Sequence, residues 1–110
     1  MTATRAIADE VVSERLRQIA VEGWAPEHDD GHHKGELAAA ATCYAAPFRV
    51  FLAEERVGRN YETYTLYRDG WPWADSWWKP KDRRRDLIRA AALILAEIER
   101  LDRAAAAGAA

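Results

Sequence analysis

Apolar residues recur at helical spacing at both ends of the chain and lose that spacing in the middle. Over residues 4 to 21, Ala8, Val12, Leu16 and Ile19 fall at steps of four, four and three, predicting an amphipathic helix with Arg15, Arg17 and Gln18 turned to solvent. Gly23 suits the left-handed closure of that helix, and Pro26 bars its resumption. Residues 24 to 34 then read as a polar loop. Gly35 opens a second helix with Leu37, Ala40, Ala41 and Tyr44 on one face, ended by Pro47. Only methyl groups line the surface from 38 to 41, so another helix is expected to press close against it.

In residues 48 to 68, Val50, Leu52, Tyr61, Thr63, Thr65 and Tyr67 alternate around a Gly58-Arg59-Asn60 turn, which predicts a β hairpin. A helix over 49 to 56 competes with it, because Glu54, Glu55 and Arg56 are poor strand formers. Residues 70 to 81 form an aromatic loop held by Pro72 and Pro80. Asp82 caps a last helix carrying Leu87, Ala91, Ile94, Ile98 and Leu101 at steps of four, three, four and three, with Ile88 and Leu95 widening the stripe. The Ala-rich residues 106 to 110 read as a disordered end. The expected fold is mainly α: one domain over residues 1 to 105, with three principal helices and a small β hairpin between the second and third.

Length bears on assembly. A chain of 110 residues supports one small core, much of it alanine, so a homodimer or higher homo-oligomer is expected, with the broad last helix reaching a second subunit. A net charge of −2 lacks the basic excess of a nucleic-acid binder, and no apolar run is long enough for a membrane span. The N-terminus lacks the order of a signal peptide, which points to the cytoplasm. Cys43, the single cysteine, sits in an Ala-rich apolar run and reads as a buried structural thiol.

Two constellations carry candidate chemistry. The first is Glu27, His28, Asp29, Asp30, His32, His33 and Glu36, all within ten residues that follow Trp24. Histidine and carboxylate together suit a divalent metal, magnesium or manganese; the same residues also suit a polar loop that caps the second helix. Glu36 and Asp86 would form a metal seat if their helices pair antiparallel, while Asp86 alone suits the positive N-terminus of the last helix. The second constellation, WPWADSWWKPKDRRR, offers Trp73, Trp77 and Trp78 for stacking on a base and Arg83, Arg84 and Arg85 for phosphate. Its alternative is that Trp71, Trp73, Trp77 and Trp78 close the end of a small helical core while the arginines are solvated; the expectation is two tryptophans in the core and two open to a ligand or subunit.

The segments SERLRQIAVEGWAPEHDDGHHKGELAAAATCYA and RRRDLIRAAALILAEIERLDR, with WPW between them, resemble a family of small phage and prophage proteins. That resemblance implies a phage origin, hence a host-cell cytoplasm. More distantly, Glu14-Arg15 to Gln18, the histidine loop, Glu36 and the closing Arg-Asp-Leu helix are similar in order to MazG-like nucleotide pyrophosphohydrolases. In that superfamily, acids on two facing helices hold magnesium. Here only Glu36 and Asp86 sit where such acids belong, and Ala39, Ala40, Arg89 and Ala90 stand where others are wanted.

Three functions follow as expectations. The first is binding of a nucleotide-derived small molecule, sequestering a host immune signal, with Trp24, Trp73, Trp77 or Trp78 on the base, Arg83 to Arg85 on phosphate and the loop of His28, Asp29, Asp30 and His32 on ribose or phosphate. The second is magnesium- or manganese-dependent pyrophosphohydrolysis through Glu36 and Asp86, with Glu27 or His28 as base. The third is inhibition of a host protein through exposed tryptophans and arginines. In each, the site lies where the 24–36 loop meets the 71–85 segment.

Overall fold

The computed structural model describes residues 2–46, 50–51, 63–64 and 70–109. Four α-helices organise them: α1 (Ala3–Glu22), α2 (Pro26–Asp29), α3 (Glu36–Ala45) and α4 (Arg83–Ala109). A 3-10 turn, Asp75–Trp77, lies in the aromatic segment before α4.

The core is the contact of α3 with α4. Leu37, Ala40, Ala41 and Tyr44 meet Ala90, Leu93 and Ala96, all buried, so methyl groups on both sides let the two backbones approach closely. Trp24 is buried in the same cluster, and Trp71, Trp73 and Trp78 close over it. Tryptophan supplies the bulk that the alanines lack. Cys43 is buried, as its apolar run suggests, and burial pushes its thiol pKa up.

The helix ends follow local chemistry. Thr2 Oγ1 accepts the Arg5 N–H at 3.1 Å, and α1 closes at Gly23 with φ 73°, a left-handed conformation that glycine adopts without steric cost. Asp82 Oδ1 accepts the Arg85 N–H at 2.8 Å and starts α4 where the sequence placed its cap.

Several expectations need correction. Among the described residues the fold is mainly helical, and the expected small β hairpin is not one of its elements. Among the described residues the only extended pairing sets Val50 opposite Tyr64 and Phe51 opposite Thr63. Two residues facing two are well short of the five or six or so of an ordinary strand and build no alternating face. The Gly58 to Asn60 turn and most of the competing 49–56 helix lie outside the described residues. Residues 26–29, expected in a loop, form a helical turn. Proline is disruptive inside a helix but preset for its first position, and Pro26 takes that place, with the Ala25 carbonyl accepting from His28 and Asp29 at 2.9 and 3.0 Å. The tail read as disordered from 106 continues α4 to Ala109, consistent with the helix propensity of alanine.

The largest correction concerns α1, whose inward face is the reverse of the expected one. Glu14 is 1 % exposed and Arg15 and Gln18 are buried, whereas Val12 and Leu16 are 50 % and 60 % exposed. Burying a charge is costly unless it is paired, and here the partners come both from α1 itself and from other elements. Arg17 and Arg85 both hold Glu14, and Arg15 reaches Asp29 at 2.8 Å and Glu99 at 3.0 Å. Glu10 pairs with Arg84, so α1 lies across α4 on a seam of ion pairs.

Candidate functional site

Local structure brings two of the three histidines of the loop together. The α2 turn places His28 and His32 four residues apart, and the chain stays wound past its end, with the His32 N–H donating to the Asp29 carbonyl at 2.9 Å. Their rings meet edge to face at 4.8 Å. The His32 ring in turn lies 5.1 Å from Trp73, and Trp73 lies 5.2 Å from Trp24. Trp77, presented by the 3-10 turn, stands 6.3 Å from Trp24.

These side chains enclose a pocket of about 220 Å³ lined by Trp24, His28, His32, Trp73, Ala74 and Trp77. Its walls are indole and imidazole, and its electrostatics follow from them. Burial lowers the His32 pKa, aided by His28 and opposed by Glu36, Asp29 and Glu97, which favours a neutral ring at neutral pH. A neutral imidazole carries one donor and one acceptor. Two polar atoms of the lining residues, His32 Nδ1 and Trp73 Nε1, are buried without a hydrogen-bond partner. Buried polar atoms are ordinarily satisfied, so such a pair marks a place where a partner is missing.

The remaining residues singled out in the sequence lie elsewhere. Asp29 is fully buried behind the pocket on Arg15; its pKa is raised by burial against the pull of that guanidinium. Asp30 pairs with Arg103 at 2.9 Å. Trp78 packs on Tyr44 and Trp71 at 4.7 and 4.9 Å, capping the core. Arg84 and Arg85 spend their donors on Glu10 and Glu14, and Arg83 is exposed at the start of α4. The three arginines therefore do not form the expected phosphate grip.

Glu36 and Asp86 are not brought together. Glu36 Oε1 accepts the Lys34 N–H at 2.6 Å and acts electrostatically on Arg100. Asp86 Oδ1 accepts the Lys81 N–H at 2.7 Å, so it serves the start of α4. From Asp86 to the level of Arg100 is about 20 Å of helix. The pairing of α3 with α4 thus puts the two acids at opposite ends, and among the described residues no group of three or more His, Cys, Asp or Glu is placed to hold a metal ion.

Sequence reading missed a second depression, on the other side of Trp77. It is lined by Arg17, Val21, Glu22, Trp77, Lys79, Pro80, Lys81 and Arg89, which come from α1, the aromatic segment and α4. The KPK sequence beside WW was the available signal. Arg17 and Arg89 could be added only once the faces that α1 and α4 turn this way were known.

No protein-family model matches the chain, and no curated protein or solved structure matches it.

Proposed function

We propose that the chain binds a nucleotide-derived small molecule whose base enters the pocket of Trp24, Trp73 and Trp77. The observation that carries this reading is the conjunction of tilted indole and imidazole walls around one pocket with two unsatisfied buried ring nitrogens, His32 Nδ1 and Trp73 Nε1, in the residues that line it. A heteroaromatic base has a π face for the indoles and an edge of donors and acceptors that those nitrogens, closed to solvent in this conformation, would meet after a small turn of the His32 or Trp73 ring, which a purely apolar ligand could not satisfy. At about 220 Å³ the pocket is smaller than the usual 300–1,000 Å³ or so of a site that swallows a whole ligand, so it suits a ring system with the rest of the molecule outside.

The role proposed with this site is retention, not turnover: the sequestering of a nucleotide signal, in keeping with the resemblance to phage proteins. Glu36 and Asp86 stand too far apart to support metal-dependent hydrolysis by that pair. Self-association belongs to the same proposal, through large apolar residues that α1 and α4 leave exposed.

The test is to incubate pure protein with a panel of nucleotides and cyclic nucleotides, with and without magnesium or manganese, then denature by heat and follow the solution by chromatography. Sequestration removes a nucleotide from solution before heating and returns it intact afterwards. Converted nucleotide appearing only with metal would replace the proposal by hydrolysis. If nothing leaves solution or changes, the reading is wrong, and partly exposed Trp77 becomes a candidate contact for a protein partner.

A further inference from the structure

We infer that the depression across Trp77 is an anion subsite that takes the phosphate groups of the molecule whose base lies in the aromatic pocket. This inference rests on the proposed function and specifies the ligand as a phosphorylated nucleoside. Its first support is composition: Arg17, Lys79, Lys81 and Arg89 line the depression against a single lining carboxylate, Glu22. In a chain whose net charge is −2, that is a local reversal of sign.

Its second support is Arg89. The residue is only 7 % exposed, its Nη1 donates to the Lys79 carbonyl, and its buried Nε has no partner. A buried guanidinium is costly to maintain, and although this Nε is closed to solvent, the charge of Arg89 acts on the depression it lines, where an anion would offset that cost. Lys79 Nζ lies 5.5 Å from the centre of the Trp77 ring, on the side chain that both cavities share. Arg17, by contrast, is held by Glu14 and Glu22, which offset its charge, so the two lysines provide the mobile donors.

The third support is continuity. Trp77 lines both cavities and is 41 % exposed, so the two share a wall residue. A base stacked inside that wall leaves its sugar at the rim and its phosphates on the basic side. The depression measures about 600 Å³ and has room for more than one phosphate.

Calorimetric titration of the full chain with base-matched series tests this: nucleoside, monophosphate and diphosphate of each common base, with inorganic pyrophosphate alone as a further probe. The expected result is at least a tenfold gain in affinity from nucleoside to nucleotide, shrinking as salt rises. The gain should vanish in Lys79→Gln/Lys81→Gln protein with an unaltered melting curve, and the single Lys81→Gln variant should lose part of it. Nucleosides binding as tightly as their phosphates would overturn the subsite and leave the base pocket standing. Pyrophosphate bound without any nucleoside gain would keep the subsite and remove the base reading, whereas no binding in any series overturns both.

Discussion

Three parts of the chain converge on the guanidinium of Arg15. Its Nη1 donates to the Trp24 carbonyl at 3.1 Å, its Nη2 to Asp29 at 2.8 Å and its Nε to Glu99 at 3.0 Å. One side chain on α1 therefore fixes the backbone of a pocket wall, the turn that carries both histidines, and α4. Arginine suits this position because its planar fork presents several donors in fixed directions. Asp29 is fully buried, and removing one member of a buried pair leaves an uncompensated charge, so Asp29→Ala should cost about 3 kcal/mol in a urea melt. The lower end of the range is expected because Glu99 and the Trp24 carbonyl remain. The double change Arg15→Met/Asp29→Leu should cost less than the single one, since no charge is then stranded. A single-variant loss below about 1 kcal/mol would mean that Arg15 finds water or another carboxylate, and that the pocket wall does not depend on this pair. Composition gave no warning of this centre, because spacing along a helix shows which residues share a face and not which face is buried. Arg15 resembles any solvated arginine until Asp29 and Glu99, fourteen and 84 positions away, are seen beside it.

At the scale of elements, legibility tracked how local the determining interaction is. Gly23, Asp82 and the alanine face of α3 act through neighbours within a turn or through absent bulk, and they stand where the pattern put them. The clustering of indoles and imidazoles was legible too, since Trp24, His28 and His32 are close in sequence and the chain must put Trp73 and Trp77 somewhere near its small core. What the pattern could not show is that Glu10 and Glu14, from the far end of the chain, engage Arg84 and Arg85, two of the three arginines given a phosphate role. Gly35 offers a clean test of local control. Its φ is 86°, and a β-carbon there would meet nothing within 4 Å, so any penalty for substitution is backbone strain alone. Gly35→Ala should lower stability by about 1–2 kcal/mol, read as a shift of the urea midpoint at constant slope. An unchanged midpoint would show that the start of α3 readily adopts another conformation.

At the scale of the molecule, the apolar stripe read from α4 exists but does not lie in the core. Ala90, Leu93 and Ala96 take that place, while Leu87, Ile94, Ile98 and Leu101 are 42 to 52 % exposed. With Ala91 they repeat at steps of four, three, four and three, which is the spacing of a seam that another helix fills by knobs-into-holes packing. Each of these side chains is already about half-buried, so full burial gains roughly half of the 1.5–3 kcal/mol of a fully exposed one; four on one face, doubled by two-fold symmetry, give roughly 6–12 kcal/mol, of the same order as the cost of pairing two chains. A second copy of α4 matches the seam by construction, because an isologous contact needs only the same face twice. The chain should accordingly sediment above its monomer mass of 12.4 kDa at micromolar concentration. Ile94→Lys/Ile98→Lys protein should return to that mass with its helical circular dichroism intact, since neither side chain belongs to the core. A wild-type chain that stays at 12.4 kDa would leave the stripe unpaired and remove α4 as a dimer seam. A double variant that still dimerises would move the contact to the exposed residues of α1, where Ile7, Val12, Leu16 and Val21 step by five, four and five and make a poorer helix seam.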